Sequence, residues 1–247
     1  MTGSLTVVGL GPGRAELTTP AASAALASAT DLIGYGPYLD RIASAPAGQV
    51  RHASDNRVEL DRARHALELA ASGKSVAVVS GGDPGVFAMA AAVFEAIEAG
   101  PAGWRALDIR VEPGVTAMLA AAAEIGAPLG GDFCAISLSD NLKPWETIER
   151  RLEAAASAGF VIALYNPASK ARPHQLGEAF ALLRTIKAGE TPTLFVRAAG
   201  SGEAKVIVTT LAEADAAQVD MRTLVIVGAS TTRQVGRWIY TPRGARP

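Results

Sequence analysis

A chain of 247 residues, 49% apolar and 19% charged, is long enough for one large domain or two small ones and too apolar to be disordered. Its net charge of −1 disfavours a bulk nucleic-acid binder, and its single cysteine, Cys134, excludes an internal disulfide and a cysteine-cluster metal site. No apolar run reaches the roughly 20 residues of a membrane helix, and no basic segment precedes the first apolar stretch. We therefore expect no membrane span, no signal peptide and no metal centre, in a reducing cytoplasm.

Leu5 to Leu10 reads as a strand buried on both faces, running into Gly9-Leu10-Gly11-Pro12-Gly13. This is not the dinucleotide fingerprint: Arg14 stands where the third glycine belongs, and Pro12 has no N–H to offer a phosphate. Without a Gly-Lys-Ser/Thr it is no P-loop either. Thr18 or Thr19 can cap a helix with Pro20 near its first position, running to about Ala29. Asp31 to Tyr35 is a short second strand. A nicotinamide enzyme wants an acid at the end of that strand, and Asp31 opens it instead. Gly34 to Tyr38 reads as a turn. The polar stretch Val50 to Arg57 reads as a solvated loop or part of a pocket rim. Val58 to Ala71 is an amphipathic helix ended by Gly73.

The chain is organised around Ser75 to Phe87, SVAVVSGGDPGVF. Val76 to Val79 form a buried strand that breaks at Ser80-Gly81-Gly82-Asp83-Pro84-Gly85, where glycines let a ligand approach bare backbone. From Val86 the pattern turns helical. Leu107 to Val111 repeats the scheme, ending in Glu112-Pro113-Gly114-Val115-Thr116-Ala117 before a helix to about Ile125. Strand, turn and helix place both loops at the carboxyl edge of a sheet, where open α/β folds bind ligands.

Gly126 to Gly131 is the best linker candidate, giving domains 1–128 and 129–247. Phe133 to Leu138, with Cys134 as a core residue, is a strand ending in Ser139-Asp140-Asn141. A helix follows from Trp145 to about Ala156. Phe160 to Leu164 ends in Tyr165-Asn166-Pro167, ahead of a helix from Pro173 to about Lys187. Thr193 to Val196, Lys205 to Thr209 and Leu224 to Val227 are further strands, and Gly228 to Arg233 closes the ordered pattern. Alternating strands and helices predict an α/β protein with a substantially parallel sheet in each half.

VGLGPG, SGGDPGVF, EPGVTA and LYNP, in this order, resemble the tetrapyrrole methylase family over nearly the whole chain. IGYGPYLD, SDNLKPWETIERRL, YNPASKAR and VDMRTLVIVGASTTR narrow the resemblance to its ring-contracting members in cobalamin biosynthesis. The resemblance implies two α/β domains with S-adenosylmethionine in the cleft between them, leaving as S-adenosylhomocysteine, and a homodimer acting on a corrin precursor. It assigns the cofactor to Pro12, Gly81, Gly82, Asp83, Val86, Phe87, Thr116, Ala117, Tyr165, Asn166, Arg197, Ala198, Gly228, Ala229 and Ser230. Many are small, as backbone recognition would require.

Methyl transfer from a sulfonium mostly needs alignment and the exclusion of water, so no triad, metal or nucleophilic thiol is required. Ring contraction adds proton movements. Asp83, Ser139, Asn141 and Tyr165 are the catalytic candidates, with Asp140, Lys143 and His174 nearby in sequence. A substrate rich in carboxylates wants cations, and Arg14, Arg57, Lys170, Arg172 and Arg197 are the candidates. The competing readings are a nicotinamide oxidoreductase, a methylase acting on RNA, diphthamide or another corrin precursor, and a tetrapyrrole carrier.

Overall fold

The computed structural model describes residues 3–42, 46–55, 58–169 and 171–244, and the chain divides into two units, Met1–Ala117 and Met118–Pro247. The division falls ahead of the glycine-rich stretch 126–131. In the first unit β1 (Ser4–Gly9), α1 (Pro20–Ser28), β2 (Asp31–Tyr35), α2 (Gly36–Leu39), β3 (Val50–Ser54), α3 (Glu59–Ala71), β4 (Ser75–Ser80), α4 (Met89–Ala99) and β5 (Asp108–Glu112) follow one another. The sheet order is β3-β2-β4-β1-β5, every pairing parallel.

Alternation along these strands gives the sheet two cores. Leu5, Val7, Val76 and Val78 meet Ala63, Ala66, Leu67 and Ala70 of α3 and Val93 of α4. Val8, Ala77 and Val79 meet Ala22 and Leu26 of α1. The Oγ1 of Thr19 accepts the N–H of Ala22 at 3.1 Å, capping α1 as its sequence predicts.

β3 is a strand where the sequence suggested a loop. Its polar residues conceal a different anchor. Asp31, 1% exposed, accepts hydrogen bonds from Nε2 of His52 on β3 at 2.8 Å, Nζ of Lys74 at 3.0 Å and Oγ1 of Thr30 at 2.8 Å. Burial alone would raise the Asp31 carboxyl; its three hydrogen bonds and the Lys74 charge carry it below the ordinary aspartate value. Asp31 is thus a structural acid at the amino edge of the sheet. The segment Gly34 to Tyr38, expected as a turn, is split between β2 and the short helix α2.

The second unit holds most of α5 (Ala117–Ile125), then β6 (Gly126–Ala127), β7 (Phe133–Ser137), α6 (Trp145–Ser157), β8 (Val161–Tyr165), α7 (Gln175–Arg184), β9 (Pro192–Arg197), β10 (Lys205–Thr210), β11 (Thr223–Val227), β12 (Arg233–Val235) and β13 (Trp238–Tyr240). Its larger sheet runs β10-β9-β11-β8-β7. Only β7 and β8 pair in parallel; the other three pairings are antiparallel, which corrects the expectation of a parallel sheet here. α6 and α7 cover one face through Ile148, Leu152, Leu176 and Phe180. Cys134, expected in the core, is half-buried against it, and burial pushes its thiol up.

The stretch 126–131 is no free linker. Gly126 and Ala127 pair in parallel with Ile239 and Tyr240 of the β12–β13 hairpin, which lies past the last strand expected from sequence. Among the described residues no helix is long and apolar enough to cross a membrane.

Candidate functional site

Parallel β1, β4 and β5 deliver three loops to one edge of the first sheet. Gly11 and Gly82 exchange two backbone hydrogen bonds, at 3.1 and 3.0 Å. A Cβ on Gly114 would lie 2.2 Å from the Gly82 carbonyl oxygen; one on Gly9 would lie 2.8 Å from it and from the Gly114 nitrogen. These loops therefore touch backbone to backbone. Gly82, at φ +66°, turns its empty side toward Thr116 Cα at 3.8 Å and Ala117 N at 3.9 Å. On Gly81, a Cβ would come within 2.7 Å of the Tyr38 ring.

Asp83 fastens this cradle. Its Oδ1 accepts the N–H of Gly85 at 2.8 Å and its Oδ2 that of Gly114 at 3.0 Å. Both oxygens are occupied by backbone, which suits an orienting group better than a proton carrier. Val86 is half-buried, and Phe87 stands 50% exposed at φ 52°. That left-handed residue delays α4 to Met89, three residues later than the periodicity suggested. Pro12 is half-buried, Thr116 buried, and Arg14 exposed.

In the second unit β8 and β9 run in the same direction and β11 runs against both. Tyr165, Asn166 and Ala198 therefore share an edge with the start of β11, where the Ala198 N–H donates to the Arg222 carbonyl at 2.8 Å. The loop at Gly228, Ala229 and Ser230 belongs to the opposite edge. There the Gly228 N–H donates to Pro192 O at 2.8 Å, and Gly228 O accepts from Lys187 Nζ at 3.0 Å. The structure does not bring these three residues to Asn166 and Ala198. A Cβ on Gly228 would meet Thr232 at 2.8 Å, so close packing accounts for the glycine that suggested a ligand loop. Arg222 and Thr223 take that place instead; strand direction, which decides it, left no mark in the sequence.

Asn166 stands at φ 52° and Ala198 at φ 50°. Asn166 Nδ2 donates to Ser137 Oγ at 3.0 Å. Its carbonyl accepts from Nη1 of Arg172 at 3.2 Å. Arg172 is only 7% exposed, so it braces Asn166 where an exposed cation for substrate was expected. Likewise Arg197 is paired with Asp220 at 2.7 Å. The Tyr165 hydroxyl accepts the Met118 N–H at 3.0 Å in the first turn of α5. Asp140 accepts from Gln175 Nε2 at 3.1 Å, and the Ser139 N–H donates to Ser137 Oγ at 3.3 Å. Asn141 and His174 are exposed. Burial, then the charge of Arg151, lowers the Lys143 ammonium. Arg57 and Lys170 lie outside the described residues.

Among the described residues three that are not glycine hold positive φ: Phe87, Asn166 and Ala198. Such backbone costs on the order of 1–3 kcal/mol per residue and gathers at ligand sites. All three are positions the family resemblance gives to the cofactor. In the first unit the glycine loops, where a Cβ on Gly9, Gly81 or Gly114 would collide, fit a ligand recognised largely through backbone.

A model of the tetrapyrrole (corrin/porphyrin) methylases matches residues 4–215. The chain belongs to that family. It is 61% identical to a precorrin-3B C(17)-methyltransferase from Sinorhizobium sp., over 98% of this chain and 97% of the relative. It is 40% identical to a probable cobalt-factor III C(17)-methyltransferase of Salmonella typhimurium, over 97% and 98%. Among solved structures, one described as the methyltransferase CobJ superposes with a TM-score of 0.93 at 56% identity, covering 97% of this chain and all of that one. The α/β fold expected from sequence is the fold of this methylase structure.

Proposed function

We propose that the chain methylates precorrin-3B at C(17), using S-adenosylmethionine, with contraction of the ring to precorrin-4 in cobalamin biosynthesis. The observation that carries this reading is the 61% identity, end to end, with a relative of that activity. The cobalt-factor III enzyme, at 40%, is the second reading.

The donor supplies an already activated methyl group. What remains for the chain is to hold the reactants aligned and dry. Gly82, Gly114 and Asp83 form a rigid backbone cradle with Thr116 and Ala117 beside it. Pro12, Gly81, Val86 and Phe87 complete the proposed donor residues of the first unit; Tyr165, Asn166 and Ala198 are those proposed in the second. Ser139, Asn141 and Tyr165 are the remaining candidates to orient the substrate or move its protons. Arg14, exposed beside the first loop, is a cation for its carboxylates. The active form is proposed to be a homodimer, which light scattering at micromolar concentration would refute by giving the monomer mass.

Incubation with S-adenosylmethionine and precorrin-3B should give S-adenosylhomocysteine and a product heavier by one methyl group. Turnover of cobalt-factor III alone would move the assignment to the second reading. Turnover of neither would overturn both.

A further inference from the structure

The segment Gly36 to Arg41 lies under both glycine loops, through two side chains. Tyr38 fills the space beside Gly81 that a Cβ would need. Arg41 reaches the other loop: its Nη2 stands 3.0 Å from the Leu10 carbonyl oxygen, 3.0 Å from that of Gly11 and 3.4 Å from that of Gly13. Three carbonyl dipoles aimed at one point repel one another unless a cation sits there. The Gly11 carbonyl is shared, since it also accepts the N–H of Gly82 at 3.0 Å. A continuous chain of hydrogen bonds thus runs from the Arg41 guanidinium through Gly11 to Gly82.

We propose that Arg41 is a positioning residue for the methyl-donor cradle, setting the peptide planes of residues 10–13 and, through Gly11, the orientation of Gly82. This rests on the reading of these loops as the donor site. It adds a residue that touches no ligand itself. Tyr38 assists by filling: a half-buried phenol whose desolvation holds its pKa above the ordinary value, wedged against Gly81 and edge-on to Tyr35 with ring centroids 5.4 Å apart.

Arg184 provides the matched control. It donates in the same way to the carbonyls of Leu211 and Ala214, at 2.9 Å and through a second shorter bond, at the edge of the second unit away from Asn166. The experiment is calorimetric titration of S-adenosylhomocysteine into wild type, Arg41→Ala, Arg41→Lys and Arg184→Ala, with the melting temperature of each. Binding to wild type is measured first; its absence would sink the donor-site reading itself rather than this inference. Given that binding, Arg41→Ala should weaken affinity at least tenfold. Arg41→Lys, which keeps a cation with three donors, should recover part of it. Arg184→Ala should lose comparable stability with affinity within about twofold of wild type. Unchanged affinity in Arg41→Ala, or an equal loss in Arg184→Ala, would overturn the proposal. Should Arg41→Ala fail to fold, Arg41→Lys and Arg41→Gln carry the comparison. Equal affinities in those two and wild type would then refute it.

Discussion

Asp83 accepts the backbone N–H of Gly114 at 3.0 Å, joining two loops whose residues lie 31 positions apart in the chain. With its other oxygen on Gly85 at 2.8 Å, each carboxylate oxygen accepts one backbone N–H. In Asp83→Asn one of those oxygens becomes an NH2 facing an N–H. A hydrogen bond to a charged acceptor is worth roughly 1.5–3 kcal/mol. We expect S-adenosylhomocysteine affinity to fall about tenfold or more, with a lower melting temperature. Calorimetry showing wild-type affinity would detach Asp83 from the cradle.

Gly82 and Gly114 are glycine for different reasons, and their alanine variants should separate. At Gly114 a Cβ collides with the Gly82 carbonyl at 2.2 Å, so the loops must part. At Gly82 there is room, the nearest atom being 3.8 Å away, but φ is +66°. Strain there should cost about 1–2 kcal/mol. Gly114→Ala is expected to be the more damaging to both stability and donor binding. Denaturant titration and calorimetry on the pair would show it; the reverse order would mean that the loops yield more readily than their packing implies.

Arg172 is expected to act on the donor rather than on the carboxylates of the tetrapyrrole. Its guanidinium holds the carbonyl of Asn166, whose left-handed backbone needs support. Arg172→Ala should therefore weaken S-adenosylhomocysteine about three- to tenfold, on the order of one kcal/mol. The KM for precorrin-3B should change little. A variant in which only the KM for precorrin-3B rises would restore the role first read from sequence.

Asp31 makes stability depend on acid. Its carboxyl is lower in the folded chain than the ordinary value of about 3.9. Its stabilisation is therefore fully present above that value and lost as pH falls through the lower, folded one. Wild type should lose stability steeply below about pH 4, and Asp31→Asn should start less stable at neutral pH yet lose less on acidification. Urea unfolding at several pH values checks this; parallel curves would show that the Asp31 carboxyl is not linked to folding.

The strands, the glycine loops and the two-part α/β plan were legible because periodicity and turn chemistry are local. What the sequence hid is mostly non-local. VRHAS in β3 has no strand pattern, since its anchor is Asp31 on a neighbouring strand. The reversal of β11, which carries Gly228 away from Ala198, depends on pairing rather than composition. Family resemblance assigns Phe87, Asn166 and Ala198 to the cofactor; their left-handed backbones left no mark in the sequence, because none is glycine. Arg172 and Arg197 read as cations for substrate because charge is visible in a sequence and its partner is not.

The tie between Gly126-Ala127 and Ile239-Tyr240, with Thr241 Oγ1 donating to Pro128 O at 2.6 Å, bears on the order in which the protein is made. On the ribosome, the first unit's sheet has every strand in hand once Glu112 emerges. The small sheet of the second unit cannot close until Tyr240 has been synthesised. Until then the backbone of Gly126-Ala127 waits unpaired, an open edge of the kind that recruits wrong partners. A nascent chain stalled just short of residue 238 should hold a protease-resistant first unit and leave 126–131 open to cleavage, a segment the finished chain ties down at Gly126, Ala127 and Pro128.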